Sequence, residues 1–323
     1  MTPHAICVHQ PGDATVLSYE PVDVAAPGAG EVLLRQTAIG VNFIDIYFRT
    51  GLYPTNLPCI LGQEAAGVVE AVGPGVTEFQ PGDRVAYAGV MGAYATHRLI
   101  NAARLVPVPD GISDELAAGT LLRGMTAQYL IKRTFPVAPG MTVLIHAAAG
   151  GVGQIASQWA RALGAKVIGT VGSTSKAELA RHWCDYVINY SEEDFAQRVR
   201  EITGGQGVPV VYDGVGAATF EGSLDSLSLR GMLVSFGNAS GAVPPFAPVL
   251  LSQKGSLFLT RPTLAHYTAT REELLATAAD YFAALANGMV KAGVGQRYAL
   301  TDAAQAHRDL AARKTTGGIV LLP

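Results

Sequence analysis

The chain has 323 residues, 49% hydrophobic and 15% charged, with a formal net charge of -3. That length points to two domains, and that composition supports a large core and excludes a disordered chain. The acidic balance argues against the concentrated basic surface that a nucleic-acid partner needs. Three dispersed cysteines, Cys7, Cys59 and Cys184, form no C-x-x-C pair, the usage of reduced thiols in a cytoplasmic compartment. The opening MTPHAICVHQPGDAT has neither a basic region nor a sustained apolar stretch, so no signal peptide is expected. The uncharged stretch 140–160 has the length of a membrane span. It is broken by Gly, His, Gln and Ser, and no membrane partner is expected.

Up to about residue 120, runs such as EVLLRQTAIG and AAGVVEAVG alternate with the punctuation PGAGE, GPGV and QPGDR. This pattern predicts an antiparallel sheet or barrel. From about 123 to 265, strands are predicted at 142–146, 166–170, 186–189, 209–213, 231–236 and 256–260. Helices are predicted near 152–163, 175–183, 192–202 and 217–229. Strands joined by crossover helices make a doubly wound parallel sheet with its ligand at the C-terminal strand edge. Another amphipathic helix is predicted over 271–287, then a short strand, a helix and the closing GGIVLLP. The expected fold class is α/β. A β-rich domain of residues 1–122 and 266–323 would surround a parallel-sheet domain of 123–265, with the active site in the cleft between them.

Residues 140–161 read GMTVLIHAAAGGVGQIASQWAR, an apolar strand, five small residues and a helical pattern. A strand turning sharply into a helix leaves backbone N–H groups converging on one spot, which suits a pyrophosphate if no side chain blocks it. Gly151 and Gly153 suit close backbone approach and tight helix–strand packing. The dinucleotide fingerprint G-x-G-x-x-G is matched except at its first position, Ala148. An acid at the end of the second strand would bind a ribose 2′-hydroxyl. Between Lys166 and Glu178 there is none, whereas Ser173, Thr174, Ser175 and Lys176 offer hydroxyls and a positive charge. These favour NADPH, and the same serines can cap the next helix.

Metal chemistry is not expected. Medium-chain alcohol dehydrogenases hold a catalytic zinc with a Cys and a GHE motif, and here Asn42 and Gln63 stand at those places in GVNFID and LGQEAAG. Neither is a good zinc ligand, and three scattered cysteines cannot make a four-cysteine site. Glu64 beside a glycine-rich strand reads as structural. The histidines have no ligand spacing, and His146, at a strand end, reads as a hydrogen-bonded core residue.

Gly140, Met141, Leu144, Ala148, Ala149, Gly150, Gly151, Gly153, Gln158 and Arg161 fall at the spacing of the NADPH:quinone oxidoreductase/ζ-crystallin signature. GVNFIDIYFRTGLYP, PGDRVAY, VVYDGVG, VSFGN and SLFLTRP also resemble segments of that family, the zinc-free branch of the medium-chain dehydrogenase/reductases. The likeness spans essentially the whole chain and is nearest to the bacterial members. It implies a GroES-like catalytic domain around a Rossmann domain, with NADPH as cofactor and a quinone as substrate. It further implies that Ser173 and Lys176 hold the 2′-phosphate, that Tyr190 lies beside the adenosine, and that Gly150, Gly151, Val152 and Gly153 face the pyrophosphate. Val215, Phe236, Gly237 and Ser240 would line the cofactor groove, Asn42 and Thr126 would lie at the nicotinamide end, and Arg261 and Arg313 would add contacts. The family implies a homodimer paired through the edge strand near SLFLTRP, an edge that needs cover on physical grounds too.

Hydride transfer to a quinone asks the protein for orientation and exclusion more than for acid–base groups. Tyr53 and Asp45 are the candidate donors near the acceptor and, with Asn42, the candidate catalytic residues; an acid after a strand can also simply cap a turn. Reduction of an activated C=C bond, as in alkenal or enone reductases, is the rival chemistry, because a proton must then reach carbon. A non-catalytic NADPH-binding role, crystallin-like or RNA-binding, is the rival of another kind.

Overall fold

In the run Glu31–Gly40 the alternate side chains Val32, Leu34, Gln36 and Ala38 are buried, as in a strand whose residues alternate across a sheet. In the computed structural model, which describes residues 2–323, this strand is central to a 7-stranded sheet. It pairs antiparallel with Glu64–Val72 along most of its length, with His97–Asn101 over its first half, and with Gly318–Leu322 at Ile39 and Gly40. Val294–Ala299 lies parallel beside Gly318–Leu322, while Arg84–Ala88 and Val106–Pro107 extend the other side. His4–Val8, Ser18–Pro21 and Cys59–Ile60 form a separate small sheet.

The chain forms two compact units. One comprises the chain up to Leu122 with Thr268–Phe282 and Ala292–Pro323, the other Arg123–Tyr267 with Ala283–Lys291. Each has its own apolar core. The first is built around Leu34, Ile39, Leu61, Tyr87 and Leu321, the second around Leu144, Ile168, Val211, Leu224 and Leu233.

The second unit holds a 6-stranded sheet in the order Tyr186–Asn189, Lys166–Val171, Thr142–Ile145, Val208–Asp213, Leu227–Ser235, Phe258–Thr260. Every neighbouring pair is parallel. Helices Gly151–Ala162, Thr174–Ala180, Phe195–Ile202, Phe220–Ser226 and Val249–Gln253 lie between successive strands or in the connections that lead to them. The strand order reverses beside Thr142–Ile145, the position at which open α/β sheets bind ligands. The α/β class is as the sequence implies.

Three features depart from the predicted elements. The β-rich N-terminal stretch also carries the helices Phe43–Arg49 and Asp114–Tyr129. The helix predicted near 217–229 ends at Ser226, because Leu227 already pairs with Val208. A register break then separates that pair from Val210–Met232, with Arg230 at φ 59° inside it. Among the described residues, no helix is long and apolar enough to cross a membrane.

Candidate functional site

The strand Thr142–Ile145 turns into the helix Gly151–Ala162 through His146–Gly150. The turn is made by Ala147, a non-glycine residue at φ 50°, an uncommon conformation that surrounding contacts must hold. Trp183 Nε1–H donates to the Ala148 carbonyl at 3.0 Å, and Ala148 N–H donates to the Thr170 carbonyl at 3.0 Å. The Ala148 methyl fits because residue 169 is glycine: a Cβ there would stand 2.7 Å from it. Gly150 caps the helix without a side chain, so no side chain takes up the first-turn N–H groups, the donor set that binds phosphate. Gly153 lets the helix close on the Ala147 carbonyl, while a Cβ on Gly151 would meet the Arg123 side chain, with Cδ at 2.7 Å.

His146, which precedes this turn, is fully buried and touches Thr170 Oγ1 at 2.7 Å and Ser223 Oγ at 2.9 Å. Ser223 donates to Asp213 Oδ2 at 2.9 Å, so its oxygen accepts from Nε2–H and the ring's Nδ1 accepts from Thr170. Burial pulls the imidazole pKa down against the opposing pull of Asp213. Asp213 also accepts from Thr219 Oγ1 and from the Val215 and Gly216 N–H groups, at 2.7, 2.7 and 3.1 Å. This network fixes the loop after the strand Val208–Asp213. His146 is the hydrogen-bonded core residue its position implies, while its partners Thr170, Ser223 and Asp213 were not marked by the sequence.

Apart from Thr126, the other sequence-predicted residues of this unit follow the C-terminal ends of successive strands. Ser173 caps the helix Thr174–Ala180 by accepting from Lys176 N–H at 3.4 Å. A Cβ on Gly172 would stand 2.5 Å from Tyr190 Oη, so that glycine clears room for the phenol beside Ser173. An acid reaches this helix from elsewhere in the sequence: exposed Glu192 accepts from Thr174 Oγ1 at 3.2 Å. Val215 and Ser240 are joined, the Val215 carbonyl accepting from both Ser240 N–H and Oγ–H at 2.8 Å. Phe236 and Gly237 pack on Gly214, and Arg261 donates to the Ser235 carbonyl at 3.1 Å. Thr126 lies half-buried on the helix Asp114–Tyr129.

In the first unit, Asn42 precedes the helix Phe43–Arg49 and Asp45 occupies its first turn. Asp45 is 1% exposed, and its Oδ2 accepts from Asn42 N–H at 2.8 Å and from Tyr94 Oη–H at 3.0 Å. The expected role of Asp45 as a donor to an acceptor molecule does not fit this geometry: it is a buried hydrogen-bond acceptor. Asn42 Nδ2–H donates to Glu64 Oε1 at 2.7 Å, and Glu64 Oε2 accepts Leu122 N–H at 2.6 Å. Gly40 makes room for that carboxylate. Gln63 is buried beside it. Tyr53 is half-buried and meets Tyr47 edge-on with centroids 5.2 Å apart and Phe48 at 5.7 Å. Tyr47 is a second phenol that sequence reasoning did not single out. Arg313, at φ 59° and exposed, follows the helix Ala303–Ala311.

Comparison with known proteins agrees with this fold. Residues 28–110 match the alcohol dehydrogenase GroES-like domain and residues 151–283 the zinc-binding dehydrogenase family, which defines a medium-chain dehydrogenase/reductase. A quinone oxidoreductase of Pseudomonas aeruginosa is 53% identical over 97% of both chains. A 2-haloacrylate reductase of a Burkholderia species is 48% identical over 99% of this chain and 98% of its own. The structure of the Escherichia coli quinone oxidoreductase complexed with NADPH superposes with a TM-score of 0.97 at 48% identity, covering 99% of this chain and 100% of that one. The chain belongs to the quinone oxidoreductase family.

Proposed function

We propose that the protein reduces quinones with NADPH. The observation that carries this reading is the helix N-terminus at Ser173, where hydroxyls and Lys176 gather with no acid at the strand end, in a chain 53% identical to a quinone oxidoreductase. Bound NADPH would supply the reducing equivalents from its nicotinamide ring. The chain's own residues bind and orient. The first-turn N–H groups of Gly151, Val152 and Gly153 receive the pyrophosphate, and Ser173 and Lys176 receive the 2′-phosphate, with Tyr190 at the adenosine. Val215, Phe236, Gly237 and Ser240 line the groove, Asn42 and Thr126 serve the nicotinamide end, and Arg261 and Arg313 add contacts. Tyr53 orients the acceptor by hydrogen bonding, and water supplies the proton to the product oxygen.

The reaction needs no zinc in this reading. Asn42 and Gln63 are amides, and the Asn42 nitrogen is already donating to Glu64; neither replaces a thiolate or an imidazole. The edge strand Phe258–Thr260 carries Phe258 at 56% exposure, with Leu229 at 77% nearby, which supports a homodimer paired along that edge. A cytoplasmic location and the absence of nucleic-acid or membrane partners complete the proposal. Reduction of activated C=C bonds is a second reading, favoured by the likeness to a 2-haloacrylate reductase. A panel of quinones and α,β-unsaturated acids and aldehydes tests the choice: kcat/KM highest with quinones supports the first reading, and turnover confined to C=C substrates refutes it.

A further inference from the structure

A buried line of hydrogen bonds crosses the first unit from Arg49 to Glu64. Arg49, 6% exposed, donates from Nη1 to His307 Nδ1 at 3.1 Å. A guanidinium has no acceptor, so Nδ1 is the unprotonated nitrogen and Nε2 carries the proton. Nε2–H therefore donates to Tyr94 Oη at 2.9 Å, leaving the phenol's own proton for Asp45 Oδ2 at 3.0 Å. The same oxygen holds the Asn42 N–H, and the Asn42 amide nitrogen donates to Glu64, which ends the line on Leu122 N–H. Burial first, then Arg49, holds the His307 pKa at about 3, so the ring stays neutral. Burial also drives the Tyr94 hydroxyl well up, so it remains a donor.

From Arg49 to Asp45 the donors all point the same way, and beyond it Asn42 donates back to Asp45 through its backbone N–H and on to Glu64 through its side chain. The line ties the C-terminal helix Ala303–Ala311 to both ends of the seven-residue helix Phe43–Arg49. Packing alone does not call for this: buried ionisable groups are commonly no better for stability than apolar residues of the same volume. What the line does secure is the amide of Asn42, with its nitrogen committed to Glu64 and its backbone to Asp45.

We propose that Tyr94 and His307 are positioning residues for Asn42, acting through Asp45 to present the Asn42 amide to bound NADPH in one orientation. This inference rests on the placement of Asn42 at the nicotinamide end in the proposed function. The full-length variants Tyr94→Phe, Asn42→Ala and the double variant are titrated with NADPH by fluorescence, and their thermal midpoints are measured. Tyr94→Phe is expected to weaken NADPH binding about three- to tenfold and Asn42→Ala about tenfold, with the double variant no weaker than Asn42→Ala, because members of one network are not additive. His307→Leu is expected to match Tyr94→Phe. His307→Gln, whose amide can accept from Arg49 and donate to Tyr94, is expected to keep the parent affinity; the histidine pair carries the test if Tyr94→Phe does not fold. Additive losses, or a lowered midpoint with unchanged affinity, overturn the positioning role and leave the rest of the NADPH site standing. Parent affinity in Asn42→Ala overturns the placement of Asn42 itself.

Discussion

The carbonyl oxygen of Ala147 occupies the space that a Cβ on Gly153 would need. Helix and turn are therefore in backbone contact at the proposed phosphate site, whereas a Cβ on Gly151 would meet the Arg123 side chain. Gly153→Ala should lower the thermal midpoint and weaken NADPH binding by about tenfold or more, since backbone must move. Gly151→Ala should cost only a few-fold, because a long side chain can yield. NADPH titration measures both, and parent affinity in both variants would show that this turn does not set the phosphate site.

Lys176→Ala should weaken NADPH binding and leave NADH binding nearly unchanged. A charge-assisted hydrogen bond is worth roughly 1.5 to 3 kcal/mol, so the loss should be on the order of 10- to 100-fold. Exposed Glu192, bonded to Thr174, lies near enough to temper that preference, and Glu192→Gln should sharpen it slightly. Equal loss for both cofactors in Lys176→Ala would mean that the lysine supports the fold.

His307 titrates at an ordinary 6.5 when free and at about 3 in the folded chain. Between those values the unfolded state holds the extra proton, so stability rises with pH across that window. At about pH 5 the lost stability amounts to about 2 kcal/mol relative to neutral pH. Buried His146 shifts in the same direction and adds to the trend. Denaturant melts at the two pH values should show His307→Gln losing less than the parent. Equal losses would mean that His307 titrates normally.

Tyr53→Phe reports on the proton. With water protonating a reduced quinone oxygen, removal of the hydroxyl should lower kcat only a few-fold. If Tyr53 were a placed acid, the loss would be about 10²- to 10⁴-fold. A hundredfold fall with a quinone would make Tyr53 the proton source.

The parallel sheet was legible because its apolar strands and helical segments alternate at lengths that leave little choice of topology. The turn at 146–151 was legible because small residues sit between strand and helix. The helix Phe43–Arg49 was not, since FIDIYFR is rich in the β-branched and aromatic residues that favour strands. The helix Asp114–Tyr129 escaped for another reason: it is buried on nearly every side, so it carries no amphipathic period. Leu227 to Leu229 continue the helical pattern of the preceding residues but are drawn into a strand by pairing with Val208. Asp45 read as a donor because sequence does not reveal that Tyr94 and His307, distant along the chain, enclose it. The contact of Glu192 with Thr174, at the proposed 2′-phosphate site, was invisible for the same reason.

Cofactor choice with a quinone acceptor, measured on enzyme stripped by exhaustive chelation, decides whether zinc-free reduction of quinones by NADPH is the reaction. The loss of reduced-nicotinamide absorbance should proceed with NADPH at undiminished rate after chelation. With NADH, kcat/KM should be lower by on the order of 10- to 100-fold, the worth of the 2′-phosphate contacts. Equal use of NADH, activity lost with a stoichiometric metal, or no quinone turnover at all would contradict the account.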